Sequence, residues 1–370
     1  MSRILIWSPN YAPELTGISP LVTHAAEWLA ARGHEVTAVV PMPNYPEREI
    51  HAAYRGILWR TEVAGAVTVR RSWLRVRPEE RVVDKALYEA SFATASLPLV
   101  LRDLSRADAV VCVVPSLLAA AVTAAAVRVL RLVGRRPRFV LWVQDLVLEA
   151  STVVEGGSGR LRRVLDAARS LETFAAGTAQ PVVVCSPGFG EYLIRHGADG
   201  RRIVTIYNGV DVNEITPEPP PPPRSRTQFL YIGNLGYTQD FETLVAGARS
   251  LPDEVEVEVY GQGNAATRVR ELAATAPNVQ VHRPVGWGAL PTILSAADVH
   301  VLVQRRGIAH ANLPSKIGPC LASGRPLLAS LDLDSPAAEL LRASGGALLV
   351  PPEDAATFAT AMRTLHRDPE

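Results

Sequence analysis

The sequence predicts an α/β protein built as two doubly wound domains, each a mostly parallel sheet with helices on both faces. Three observations carry that expectation. Short apolar runs alternate with helix-period segments along the whole chain. Many of the runs are apolar on both faces, as strands buried between two helix layers must be. One break interrupts the rhythm, TPEPPPPPRSRTQ from Thr216 to Gln228, and the alternation restarts after it. At 370 residues the chain can bury two sizeable cores.

In the first half the expected strands are 4–8 (ILIWS), 35–40, 67–72, 109–114, 138–144, 181–186 and 203–208. Between the first two lies SPLVTHAAEWLAARG, with Ser19 as N-cap, Pro20 at the first helical position and Gly33 as the stop. Leu21, Ala25, Trp28 and Leu29 recur there at helical spacing. The proline run can be neither helix interior nor central strand, so 214–226 reads as a polyproline II linker. A proline-rich ligand for a partner domain is the competing reading. The second half offers strands 228–233, 254–261, 279–284, 299–304, 326–330 and 347–351. Strict alternation in VEVEV suggests a sheet edge for that strand. The domains are then 1–213 and 227–370. Ligands bind outside the carboxyl ends of such strands, which places a cleft between the two sheets.

Composition narrows the function. Apolar residues make up 48% and charged residues 20%, and the net charge of +1 gives no overall attraction to nucleic acid. Two basic clusters stand out: Arg70, Arg71, Arg75, Arg77 and Arg81, then Arg131, Arg135, Arg136 and Arg138. Each reads as solvated surface, with an anionic or membrane-borne partner as the alternative. Cys112, Cys185 and Cys320 lie far apart without a CxxC pair, as buried thiols of a reducing cytoplasm would. The N-terminus has no leader pattern, and Pro115-Ser116 splits the longest apolar stretch. The segment 82–104 reads as a core helix, a helix on the acceptor side or a membrane-resting helix.

Several stretches carry candidate chemistry. YIGNLGYTQDFETL is a strand, a turn with Gly233 and Gly236, and a helix, where backbone can approach a phosphate. VYGQGN repeats the pattern with Tyr260, Gly261 and Gly263 near a base or ribose, but completes no dinucleotide fingerprint. In HANLPSKIGPCLASG, Pro314 and Ser315 read as a helix start, so that Ser315, backbone N–H groups and Lys316 converge on one point beside His310. That combination suits a diphosphate. WVQDLVLEA places Asp145 and Glu149 just past a strand, where either could orient a sugar hydroxyl or simply cap a helix. Asp332, Asp334 and Glu339 match no metal cage, and loop solvation or capping explains them. No serine-hydrolase elbow, zincin helix or Walker lysine is present.

These stretches together resemble the family 4 glycosyltransferases of the GT-B fold, in particular the fucosyl- and N-acetylfucosaminyl-transferases of colanic acid, capsule and O-antigen assembly. PNYAPELTGIS, EWLAARGHEVTAVVPMPNYP, WVQDLVLEA, VVVCSPGFGEYLIRHGADGRRIVTIYNGVDV, YIGNLGYTQDFETL, LSAADVHVLV and PSKIGPCLASGRPLLAS occur in the family's order over most of the chain. The resemblance implies two Rossmann-like domains and a UDP- or GDP-sugar held mainly by the second. It implies a glycan or lipid-linked acceptor held by the first, transfer with retention, and no metal or other cofactor. It places Gly233, Asn234, Gly236, Tyr260, Gly261, Gly263, His310, Pro314, Ser315 and Lys316 at the donor, and Glu14, Thr16, Gly17 and Glu149 on the acceptor side. Gly17, Asp145 and Lys316 are the implied catalytic positions. The implied location is cytoplasmic, with peripheral contact at the inner membrane face.

The sequence departs from that family in three places. Asn234 and Gln239 stand where many members have Arg and Lys, leaving Lys316 as the evident cation. Ala311 and Pro319 stand where many members have two glutamates, the second of which holds the donor ribose. The sequence given stops at LHRDPE, where members usually continue into a cross-over helix. The alternatives are transfer to a soluble natural product and a non-catalytic nucleotide-sugar-binding member of an assembly complex. A nicotinamide-dependent oxidoreductase is disfavoured by the incomplete fingerprint.

Overall fold

Two sheets organise the chain in a computed structural model that describes residues 1–14, 17–45, 48–77, 82–146, 159–222, 224–308 and 313–368. The molecule divides into two compact units, Met1–Tyr207 and Asn208–Glu370. The first unit contains strands β1 (Arg3–Trp7), β2 (Glu35–Pro41), β3 (Trp59–Ala64), β4 (Val67–Ser72), β5 (Ala109–Val114), β6 (Arg138–Val143), β7 (Val182–Val184) and β8 (Ile203–Thr205). They form one sheet in the order β3-β4-β2-β1-β5-β6-β7-β8. All pairings are parallel except β3 with β4. Helices α1 (Ser19–Ala31), α2 (Val82–Leu104), α3 (Leu117–Leu132), α4 (Gly159–Thr178) and α5 (Pro187–Arg195) belong to the same unit.

Alternate residues of each strand feed opposite faces of this sheet. Leu5, Trp7 and Val39 pack with Phe92 and Val100 of α2 and Ala120 and Ala124 of α3. Ile6, Ala38 and Val69 pack with Val22 and Ala26 of α1. Burying each of the larger side chains among these, such as Leu5, Ile6, Val39 or Phe92, contributes roughly 1.5–3 kcal/mol, which is why the apolar runs were legible as strands.

The second unit holds β9 (Thr227–Ile232), β10 (Val255–Tyr260), β11 (Val279–His282), β12 (Val299–Val303), β13 (Leu327–Ser330) and β14 (Ala347–Val350) in the order β11-β10-β9-β12-β13-β14. Its pairings are all parallel, the order of a Rossmann-type sheet. Its helices are α6 (Phe241–Arg249), α7 (Ala266–Ala273), α8 (Leu290–Ala296), α9 (Ile317–Ala322), α10 (Pro336–Ser344) and α11 (Ala355–Arg367). Asp240, Ser335 and Asp354 cap α6, α10 and α11 by accepting the N–H of Thr243, Ala338 and Thr357. Gly247 lets α6 approach α11 closely, since a Cβ there would lie 2.9 Å from the Phe358 ring.

Some expectations are corrected. Ser19 is the first helical residue of α1 rather than its cap, and the buried stripe runs through Val22 and Ala26. Trp28 is exposed, with the Arg32 guanidinium 3.3 Å from its ring centroid. The edge strand β3 was not expected at all. VEVEV is not at an edge: β10 lies between β9 and β11. Its glutamates are accommodated by neighbouring polar groups, Glu256 by Gln228 and Glu258 by His282. The proline run belongs with the second unit. There Arg325 donates to the Pro219 carbonyl at 2.6 Å and Arg224 to the Ala296 carbonyl at 3.1 Å.

The first basic cluster is not solvated surface throughout. Arg70 pairs with Asp103 at 2.6 Å, and Arg71 is buried against Glu62. Helix α2 is a core helix. Among the described residues no helix is long and apolar enough to cross a membrane.

Candidate active site

In the second sheet the strand order reverses between β9 and β12, and the loops leaving their carboxyl ends frame the position where such sheets bind ligands. The first of these loops begins at Gly233, with φ +138°, and the second reaches Lys316. The Lys316 ammonium sits 3.6 Å from the centroid of the Tyr231 ring. It fills the space a side chain at 233 would need: a Cβ there would lie 3.1 Å from Nζ. Part of the residue's surface is open, yet its ammonium end is desolvated, and burial pulls its pKa from the usual 10.5 down to about 7. Cys320 beside it is pushed up to about 12 by burial and stays a neutral thiol at neutral pH. Among the described residues the ammonium has no carboxylate and no hydrogen-bond partner.

The surroundings of Lys316 are set by backbone packing. The Tyr231 hydroxyl donates to the Asn234 carbonyl at 2.7 Å. Gln239 braces the loop by accepting the Gly236 N–H at 2.9 Å. The Asn234 amide lies beside Gly236 and Gly263, 2.9 and 2.5 Å from where their Cβ atoms would be. Gly261 and Gly263 have a packing role that the sequence reading did not foresee. A Cβ at Gly261 would lie 2.0 Å from the Gly233 carbonyl oxygen, and one at Gly263 2.4 Å from that of Leu235. These glycines let the loops after β9 and β10 touch. Tyr260 stacks on His282 at 4.5 Å, and His282 bonds Glu258.

The helix start expected at Pro314 and Ser315 is corrected. Those residues form a turn, and the helix is the short α9, whose cap position is Lys316 itself. The Ile317 N–H is already engaged by the Pro314 carbonyl at 3.2 Å. Pro319, one of the two positions where a glutamate is usual, has no N–H. Of the first three helical amides only that of Gly318 remains to be offered, so Lys316 rather than a helix terminus dominates this electrostatic setting. His310 and Ala311 lie outside the described residues. Asp332 is engaged by the Gly307 N–H at 2.8 Å.

In the first unit the order reverses between β1 and β5. Gly17, with φ +66°, makes the left-handed turn into α1 that other residues resist. Glu14 does not point an uncommitted carboxylate at an acceptor. One oxygen accepts the N–H groups of Asn44 and Tyr45, both at 3.0 Å, and the other accepts the Asn10 amide at 2.8 Å. Burial raises its pKa against those hydrogen bonds. Arg71 secures the same loop from below, donating to the Ala12 carbonyl at 2.6 Å. Asp145 follows β6, where burial raises its pKa despite the openness of the residue as a whole. It also helps hold the Cys185 thiol up at about 12, after burial. Thr16 and Glu149 lie outside the described residues.

Sequence reasoning missed three groups. Tyr231, the platform under Lys316, carried no signal beyond its place two residues before a strand-ending glycine. Arg71 looked like surface. Glu89 of α2 accepts the Ser116 hydroxyl at 3.0 Å past the end of β5, and burial raises its pKa to about 7.

Residues 16–209 match the family described as glycosyl transferase 4-like domain, and residues 226–368 match glycosyl transferases group 1. The chain is a glycosyltransferase. It belongs to the family that these two domains define. The glycosyltransferase is 29% identical to the Escherichia coli K12 protein named as a colanic acid biosynthesis glycosyl transferase, WcaI, over 98% of this chain and 91% of that one. Its fold matches Anabaena Alr3699/HepE, solved with UDP-glucose, with a TM-score of 0.67 at 16% identity over 100% of this chain and 90% of that one. It also matches WaaG, a glycosyltransferase involved in lipopolysaccharide biosynthesis, with a TM-score of 0.67 at 14% identity over 99% and 90% of the two chains. These likenesses establish the GT-B fold, two Rossmann-like units in one chain.

Proposed function

We propose that the glycosyltransferase moves a sugar, with retention and without a metal or other cofactor, from a UDP- or GDP-sugar to a glycan or lipid-linked acceptor in polysaccharide assembly, at the inner face of the membrane. The unpaired, desolvated Lys316 ammonium at the switch point of the second sheet is the observation that carries this reading. An ammonium so placed lacks the counter-charge that burial demands, and a diphosphate would supply it. UDP and UDP-glucose are named in the solved structures of HepE, and the WcaI and WaaG names point to surface polysaccharides.

Retention at the anomeric carbon needs no protein nucleophile when the acceptor attacks from the face that the diphosphate leaves. The departing oxygen takes the acceptor hydroxyl's proton as the new glycosidic bond forms. The protein's part is then to stabilise charge growing on the leaving diphosphate and to hold two reactants in register. Lys316 serves the first task. Asp145 and the loop anchored by Glu14 and Arg71 serve the second.

The test is thermal stabilisation by UDP, GDP, dTDP and NAD, on the wild type and on Lys316→Ala. One nucleoside diphosphate, at 100 times its Kd, should add about 2.7 kcal/mol to the wild type. Equal stabilisation of Lys316→Ala would refute the role of the lysine. No response to any nucleotide would favour a second reading, a non-catalytic assembly partner, which Pro319 in place of the usual ribose-holding glutamate supports. Donor hydrolysis with release of nucleotide would rule that reading out.

A further inference from the structure

The outer strand of the first sheet has an edge that this chain leaves open. β3 ends the sheet order, and only β4 pairs with it among the described residues. The Trp73 N–H donates to the Leu58 carbonyl at 2.8 Å, so Leu58 and Trp73, one step before Trp59 and Ser72 in the register, are a hydrogen-bonded pair. Such pairs alternate along an antiparallel ladder. Arg60, Glu62 and Ala64 therefore turn their backbone groups toward β4, and Trp59, Thr61 and Val63 turn theirs out of the sheet. Among the described residues no N–H or carbonyl of Trp59, Thr61 or Val63 has a hydrogen bond. An edge of this kind is normally blunted by lysine, proline or a bulge. WRTEVA has no lysine and no proline, and its register runs unbroken from Trp59 to Ala64.

The side chains of this strand are as open as its backbone. Trp59, Thr61 and Val63 lie on the face toward α2, where the Trp59 indole N–H donates to the Ala95 carbonyl of that helix at 2.7 Å. Trp59 and Val63 are nevertheless 48% and 73% exposed. Beside Ala95, at helical spacing along α2, Thr94, Pro98 and Leu101 are exposed as well. On the other face Arg60 and Glu62 pair at 3.5 Å, with 43% and 24% of their side chains exposed. From Trp59 to Val63 the strand reads apolar, basic, polar, acidic, apolar. Reversed about Thr61, that pattern is complementary to itself.

We infer that β3 pairs antiparallel with β3 of a second copy, about a two-fold axis at Thr61, and joins two first units into one continuous sheet. With Thr61 opposite Thr61 of the partner subunit, every outward N–H and carbonyl of Trp59, Thr61 and Val63 meets its complement. Trp59 then faces Val63 of the partner subunit, and Arg60 faces Glu62 of the partner subunit. Aromatic–β-branched and opposite-charge pairs are cross-strand combinations that stabilise a sheet. Sliding two residues one way sets Arg60 opposite Arg60 of the partner subunit. Sliding the other way sets Glu62 opposite Glu62 of the partner subunit. Like charges therefore reject both neighbouring registers. The interface is isologous and closes at two copies. The central strands of the two copies run in opposite directions, so the acceptor-side residues of the first units lie at opposite ends of the joined sheet. The inference goes beyond the proposed function and does not depend on it.

The test is sedimentation velocity of the full chain, without nucleotide or lipid, over a range of concentrations. The wild type should form dimers below about 0.1 mM. Thr61→Pro removes the central N–H and puts a ring where the second strand must lie, while the ladder to β4 does not use that N–H. Val63→Lys sets a gatekeeping charge opposite Trp59 of the partner subunit. Each should weaken dimerisation at least about tenfold with an unchanged circular dichroism spectrum. Val63→Lys, at a position 73% exposed, decides the matter if Thr61→Pro does not fold. Oxidative cross-linking reads the register. Thr61→Cys should give a disulfide-linked dimer, since the paired Cα atoms there lie about 5.5 Å apart, within disulfide reach. Val63→Cys, on the same face, should not, because the two copies of that position lie about 14 Å apart. Cys112, Cys185 and Cys320 are buried and do not compete. A wild type that stays monomeric to about 0.1 mM would overturn the inference. So would a dimer that survives both Thr61→Pro and Val63→Lys, or Val63→Cys cross-linking as fast as Thr61→Cys. The readout needs no nucleotide, so its failure is distinct from a failure of the proposed chemistry.

Discussion

Replacing Lys316 by methionine should make the protein more stable and a poorer binder of its donor. The ammonium lies over the Tyr231 ring, against Gly233, with its pKa lowered from 10.5 to about 7. A folded-state pKa below the unfolded one means that the unfolded chain holds more protons between those values. The cost of keeping the lysine charged is therefore complete below pH 7 and shrinks as pH rises toward 10.5. At about 1.4 kcal/mol per pKa unit, the shift is about 3–5 kcal/mol at full effect. Lys316→Met, with similar length and no charge, should gain a few kcal/mol at pH 6.5 and about 2 kcal/mol less than that at pH 9.

Donor binding should move the other way. Charge-assisted bonds to a diphosphate contribute about 1.5–3 kcal/mol, so affinity for the preferred nucleoside diphosphate should fall about ten- to a hundredfold. Near pH 8 wild-type binding should also take up close to one proton, seen as a buffer-dependent enthalpy that Lys316→Met lacks. Urea denaturation at the two pH values and calorimetric titration in two buffers measure all three effects. A variant no more stable than wild type at pH 6.5, or one that binds the nucleotide equally well, would refute the reasoning.

Other sites give further outcomes. Glu14→Ala removes the acceptor for the Asn44 and Tyr45 amides. It should cost about 2–3 kcal/mol and speed hydrogen exchange at both amides; unchanged exchange would show that the carboxylate is not the anchor. Gly261→Ala would place a methyl 2.0 Å from the Gly233 carbonyl oxygen and should destabilise by at least about 3 kcal/mol in urea. A loss under about 0.5 kcal/mol would contradict the close approach. Glu89, raised to about 7 by burial, favours the fold most when protonated, and its contribution declines as pH rises through 7. Glu89→Gln, which can still accept the Ser116 hydroxyl, should therefore gain stability relative to wild type at pH 8 but not at pH 4; equal effects at both would exclude a raised pKa.

What the sequence disclosed was mostly what burial on two faces imposes. Val110, Val113, Phe229 and Val301 had to be strands between helix layers, and they are buried as such. The edge strand β3 escaped because WRTEVA is exposed along most of its length and pairs antiparallel with β4, so it carries no two-sided apolar run. The attachment of the proline run was hidden for another reason. Its partner Arg325 lies 106 residues from Pro219, and no local pattern encodes such a contact. Lys316 could be singled out as a cation beside small residues, but the Tyr231 ring and the Gly233 backbone it packs against lie far off in the sequence. The glycines of YIGNLG and VYGQGN were visible, while their main duty was not. A ligand and a neighbouring loop make the same demand on backbone, and only the positions of the Gly233 and Leu235 carbonyls separate the two.

That mutual contact has a consequence for how this enzyme can change. Gly261 and Gly263 accept the backbone of the loop after β9 as a gear accepts a tooth, and no side chain can be inserted on one partner without displacing the other. Lys316 rests on the same loop at Gly233. Grafting a donor-recognition loop from a relative with different sugar preference would therefore succeed only if both loops, and the lysine turn that leans on them, travel as a single inherited cassette.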